Sequence, residues 1–247
     1  MESQSLFQYD ETLGYTRRKE EAALERIKYP IRTPSFNSYF PRRHSSKRRF
    51  IVYLEPAPQS KLAASILEFY RLSRIKVGPN EAHLYHPHCS MTGFFTLASD
   101  DVDAVVGSVK RCLSGWLSPS TPFPSPTLGS LVAKDSGLQL KLQVPEYYHL
   151  MVNNLVDELA PLARLRPKNL DHISLAYLNK HVKTFRTFAP AEISALHEIA
   201  RNINLAENTH LAWDIAFYEQ LHNSQDLCHP HHFKEIARWP VSNPLIH

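Results

Sequence analysis

The chain has little that would cross-link it, export it or fix it in a bilayer. Its three cysteines, Cys89, Cys112 and Cys228, are odd in number and far apart. That argues against a disulfide framework and for free thiols in a reducing compartment. No apolar run approaches the roughly 20 residues that a membrane-spanning helix needs. The first residues, Met1-Glu2-Ser3-Gln4-Ser5, lack the charged and apolar regions of a secretory leader. A cytoplasmic or nuclear location, no membrane partner and a monomer are the expectations. Large excess charge is also missing. The net charge is +4, and much of the surplus lies in Arg17-Arg18-Lys19 and in the run from Arg42 to Arg49. Such a run steers phosphate-bearing partners, or serves as a solvated linker or a nuclear-import signal.

What remains is ordinary globular composition, 43% hydrophobic and 21% charged over 247 residues, enough for one large domain or two small lobes. Residues 1–48 read as an appendage. Glu20 to Ile27 has helical composition, but Pro30, Pro34 and Pro41 follow it. The body is expected over 49–220, with 221–247 as a C-terminal tail. Arg49 to Leu54 reads as a strand. Ser60 caps an amphipathic helix carrying Leu62, Ile66, Leu67 and Tyr70. A strand is expected over His88 to Leu97, then a helix from Asp100 to Leu117 and a proline-rich loop, Pro119 to Pro126. Alternating runs flank Lys134-Asp135-Ser136-Gly137, a hairpin signal. A helix over Pro145 to Ala163, a strand over His172 to Leu178, a helix from Ala191 to Ile203 and a strand from His210 to Tyr218 follow. Each half thus repeats the order strand, helix, strand, helix, strand. This predicts an α+β fold of two similar lobes related by a pseudo-two-fold axis, with mainly antiparallel sheets and outer helices.

Two of those strands carry the same short pattern, His88-Cys89-Ser90-Met91 and His172-Ile173-Ser174-Leu175. Strand side chains alternate faces, so each histidine shares a face with the serine two residues on. Two such faces brought together offer two imidazoles and two hydroxyls to one small ligand. That set suits a phosphate whose oxygens gain and lose protons. The chain has four His-x-Ser triplets where its composition predicts about two, and His44-Ser45-Ser46 and His222-Asn223-Ser224 lack the strand context.

These residues and this layout resemble the 2H phosphoesterase superfamily, marked by two His-x-Ser/Thr-x motifs, one per lobe. The fourth position there is usually hydrophobic, as are Met91 and Leu175. The resemblance covers about 50–220. It implies acid–base work for His88 and His172 and phosphate contact for Ser90 and Ser174. It implies no cofactor and no metal. The substrate class is a nucleotide or an RNA 3′ end. The implied activity is hydrolysis of 2′,3′-cyclic phosphates. An RNA 3′-end exonuclease or transesterase of the same fold, and a nucleotide-binding or RNA-binding module without turnover, stay open as alternatives.

Around the motifs, Phe94 is expected to share a strand face with His88 and Ser90. Tyr177 sits at an odd offset from His172, so a regular strand turns it away. Either aromatic is a candidate for stacking on a base, although core packing is the commoner role of such residues. Asp171 should likewise face away from His172 and receives no orienting role. Lys134, Lys141 and Lys168 are candidates for guiding a nucleic acid or are solvated charges. The groups His83, His86, His88, Cys89 and Cys228, His229, His231, His232 contain metal-ligand types, but their spacing matches no usual structural zinc pattern.

Overall fold

A computed structural model describes residues 46–116, 124–134, 136–178, 187–205, 211–224 and 226–241. The expected helix at 20–27, the basic residues before Ser46 and most of the run 119–126 lie outside these. The body is one compact unit, His44–His247.

Strand β1 (Lys47–Pro56) leads into helix α1 (Lys61–Lys76), then β2 (Cys89–Ser90), β3 (Phe95–Ala98) and α2 (Val102–Trp116). Next come β4 (Thr127–Lys134), β5 (Gly137–Gln143), α3 (Glu146–Leu159), β6 (His172–Tyr177), α4 (Pro190–Asn202), β7 (Trp213–His222) and β8 (His232–Pro240). The Ser60 hydroxyl caps α1 by accepting from the Ala63 N–H at 3.1 Å. Leu62, Ile66 and Phe69 of α1 are fully buried, whereas Leu67, expected on the same stripe, is 52% exposed.

Among the described residues every strand pairing is antiparallel. The first sheet runs β2-β1-β7-β8, with β3 also on β1, and the second runs β4-β5-β6. Each sheet therefore owns one motif strand. The lobes, however, are not the two halves of the chain. Strand β7 returns to pair with β1 from Phe50↔Glu219 to Pro56↔Trp213, so the first sheet is built from both ends of the body. The supposed tail is corrected by the same topology. Strand β8 extends the sheet, Val241 is buried, and Arg238 of β8 bonds Glu55 of β1 at 2.9 Å and Asp214 of β7 at 3.1 Å.

One hydrophobic core joins both sheets to the helices. It contains Phe50, Val52 and Leu54 from β1, Leu138, Leu140 and Leu142 from β5, and Ile173 and Leu175 from β6. Alternation then leaves Arg49, Ile51, Tyr53 and Glu55 on the opposite face of the first sheet, where Ile51 and Tyr53 join Ala216 and Tyr218 in a second, smaller buried cluster. Cys89 and Cys112 belong to the core, and burial pushes their thiols up to about 12 and about 11. Only the thiolate attacks an aromatic disulfide. Titration of the native chain with such a reagent is therefore expected to modify Cys228 alone, and a second thiol reacting at the same rate would contradict this packing.

Candidate functional site

Strand β2 pairs with β1 through Tyr53↔Ser90 and Leu54↔Cys89. Ser90 thus lies on the same face of the first sheet as Tyr53, and Cys89 points into the core. The buried Cys89 also shares a hydrogen bond with the backbone of His172, which brings the two motif strands side by side. A cavity of about 350 Å³ opens between them, lined by His88, Ser90, Pro167, Lys168, Asn169, His172 and Ser174. All four residues of the two His-x-Ser pairs meet there.

The two imidazoles are held differently. The His88 Nδ1–H donates to the His86 carbonyl at 2.6 Å, and its ring stacks on Tyr53 with centroids 3.9 Å apart and 28° between planes. Burial pulls His88 down to about 4, with nearby His86 and His172 adding to the effect against the pull of the His86 carbonyl. The His172 Nδ1–H donates to Asp171 Oδ1 at 2.6 Å. Lys141 Nζ donates to the other carboxylate oxygen, Oδ2, at 2.7 Å. Asp171 is held below the usual carboxylate range by the hydrogen bonds from Lys141 and His172, which outweigh desolvation. In both rings Nδ1 is engaged, so Nε2 is the nitrogen left for a ligand.

The local structure explains these placements. Asp171 precedes the first residue of β6, at a bend, so strand alternation does not govern it and its carboxylate turns back to His172. This corrects the expectation that it faces away. Lys141, read as a candidate for guiding a nucleic acid, is instead opposite His172 in the ladder and pairs with Asp171. Lys168 does line the cavity, and Lys134 is exposed at the end of β4. Pro167 and Asn169 were missed by the sequence reading. The chain before β6 is stitched to the exit of β2 by Lys168 N–H to Met91 O at 3.0 Å and Gly93 N–H to Arg166 O at 2.8 Å. A bridge pairs Thr92 with Pro167 between them. That stitching forms the rim. Its only sequence signal is the polar, proline-containing stretch Arg166-Pro167-Lys168-Asn169.

The aromatic expectations need revision. Phe94 does not share a strand with His88, because the strand breaks between Ser90 and Phe95. It leaves the cavity and lies nearly parallel to Phe233, with ring centroids 6.3 Å apart. Tyr177 does not line the cavity either, but it is on the His172 face. The β5–β6 register runs Lys141↔His172, Gln139↔Ser174 and then Leu138↔Ala176, Gly137↔Tyr177. Leu175 is therefore an extra residue, and a bulge of this kind reverses the alternation beyond it. The Tyr177 hydroxyl is spent in a hydrogen bond with Tyr85.

Three histidines of the two groups of metal-ligand types have separate partners. His83 Nε2 shares a hydrogen bond with the Ser73 hydroxyl at 2.9 Å, His231 Nδ1 accepts from the Ser224 N–H, and His229 donates to Asp226. Among the described residues no group of three or more metal-ligand side chains occurs.

No family model matches the chain. It is 26% identical over 165 residues to ubiquitin-associated and SH3 domain-containing protein B of Mus musculus and of Homo sapiens. That alignment covers 64% of this chain and 23% of each relative, so the chain spans about a quarter of their length. Among solved structures, it is similar to E. coli LigT complexed with 3′-AMP, at 12% identity and a TM-score of 0.44. LigT complexed with phosphate gives 13% and 0.43. Both similarities cover 80% of this chain and 99% of LigT.

Proposed function

We propose that the chain is a phosphodiesterase of the 2H phosphoesterase type that opens 2′,3′-cyclic phosphates of nucleotides or RNA ends by two-histidine acid–base catalysis. The observation that carries this reading is the unequal pair of imidazoles across one cavity. His88, partnered by a neutral carbonyl and pulled down by burial, is an uncharged base at neutral pH. His172 rests against a carboxylate, which balances the charge of an imidazolium.

In the proposed step His88 Nε2 takes a proton from a water molecule as the water oxygen bonds to phosphorus. The bond from phosphorus to one ribose oxygen breaks, and that oxygen takes the proton carried by His172 Nε2. A phosphomonoester and a free hydroxyl result. The Ser90 and Ser174 hydroxyls donate to the non-bridging oxygens, where charge accumulates in the transition state. Lys168 adds a positive charge at the rim.

The test is hydrolysis of a 2′,3′-cyclic mononucleotide followed across pH. The expected product is a nucleoside 2′- or 3′-monophosphate, and activity is expected to survive chelators. A base with a depressed pKa is active above that value. The acidic limb of kcat/KM should therefore lie near pH 4 and not near 6.5. Binding of the nucleotide without turnover, or a limb at the ordinary histidine value, would count against the assignment.

A further inference from the structure

Beyond the catalytic cavity, the second face of the first sheet buries Ile51, Tyr53, Ala216 and Tyr218 beneath the partly exposed Phe94 and Phe233. We propose that this face carries a single-stranded oligonucleotide away from the cavity, over Lys168 and Gly93, onto a shelf formed by Phe94 and Phe233, with Arg49 meeting its phosphates. This rests on the phosphodiesterase reading and narrows it. The preferred substrate is the end of a strand and not a lone nucleotide.

The path is continuous. A Cβ placed on Gly93 would lie 3.5 Å from Lys168 Cε, so the alkyl chain of the rim lysine crosses the backbone just before Phe94. From the other side, Tyr53 stacks on His88 and meets Phe233 edge-on, with centroids 6.3 Å apart. Phe94 and Phe233 are 10° from parallel, and the exposed Arg49 holds its guanidinium 4.0 Å over the Phe94 ring. A base stacks on such rings whatever its identity, and a guanidinium beside them supplies N–H donors for phosphate. In the ladder Phe50 faces Glu219 and Gln220 faces Phe233. Gln220 therefore stands on the shelf side between Arg49 and Phe233, and its buried Oε1 has no hydrogen-bond partner.

Charge sets the direction. At the other end of the same face Glu55, Asp214 and Glu235 converge on the single cation Arg238. A polyanion is repelled there. It is drawn toward Lys47 and Arg49, where the basic run of the sequence enters β1.

The test measures binding of a short fluorescein-labelled oligouridine by anisotropy. It also measures hydrolysis of a 2′,3′-cyclic mononucleotide against an oligouridine ending in the same cyclic phosphate. The parent is expected to prefer the oligonucleotide in kcat/KM by about 10-fold or more. Phe94→Leu keeps an apolar side chain but removes the ring face, and should weaken oligouridine binding by about 10-fold. Arg49→Ala should reduce the salt dependence of binding by about 0.7 in log–log slope. Lys134→Ala, on the second sheet, is the charge control and should change neither. Equal effects of Arg49→Ala and Lys134→Ala, or no preference for the oligonucleotide, would overturn the shelf while leaving mononucleotide hydrolysis standing. Oligouridine bound through Phe94 and Arg49 without opening of the cyclic phosphate would keep the shelf and reject the reaction.

Discussion

Replacing either His88 or His172 by alanine is expected to lower kcat for a 2′,3′-cyclic nucleotide by about 10²–10⁴-fold, with the double variant little worse than the more damaged single one. Each imidazole serves one end of a single in-line displacement. Once one proton transfer is lost, the other has no partner step to accelerate, so the two losses do not multiply. The unequal surroundings of the rings add a second signature. His172→Ala removes the group held by Asp171, and Asp171→Asn should reproduce part of that loss in kcat with little change in KM, because the carboxylate touches the imidazole and not the cavity. His88→Ala should abolish the acidic limb near pH 4, since the base that titrates there is gone. Parallel kcat and pH-rate measurements on the three variants check this. Near-parental kcat in either histidine variant, with the fold intact by circular dichroism, would remove the catalytic assignment.

The motifs were legible because strand alternation is local. His88 with Ser90 and His172 with Ser174 need only a period of two, and both pairs reach the cavity. The cap at Ser60 and the hairpin between β4 and β5 were legible for the same reason. What the sequence concealed is non-local or irregular. The return of β7 to β1 joins residues more than a hundred positions apart, and alternation within β7 is the same whichever strand it joins. The break after Ser90 is imposed by the stitching of 91–93 to 166–168, and it carries Phe94 off the motif face. Asp171 was misjudged because the rule for regular strands was extended one residue past the strand's start. Tyr177 was misjudged because a single inserted residue, Leu175, reverses its face, and no residue type announces that insertion.

That bulge supports the second large effect. Gly137→Ala is expected to destabilise the fold by about 3–5 kcal/mol and to reduce activity in whatever fraction still folds. Gly137 faces Tyr177 across the ladder, and a Cβ there would stand 2.0 Å from the Ala176 carbonyl oxygen and 2.9 Å from its carbon. Those atoms are backbone, so no side-chain rotation relieves the overlap, and β6 must move away from β5. The residues that move are the ones beyond the bulge from Ser174, whose own carbonyl is held by the Tyr70 hydroxyl at 3.0 Å. Pinned on one side and pushed on the other, β6 is expected to shift Ser174 out of register with its phosphate position. Displacements of about 1 Å near reacting groups cost about 10²-fold in rate. The comparison is Gly129→Ala on the neighbouring strand β4, where the added Cβ would sit 3.1 Å from the Lys141 Cβ and 3.3 Å from the Lys141 carbonyl oxygen, a mild crowding that β4, at the edge of its sheet, relieves by a small shift. Thermal unfolding and kcat of the two variants separate the cases. A Gly137→Ala protein that melts and turns over like Gly129→Ala would show that β6 is not held by the close approach of Gly137 to Ala176.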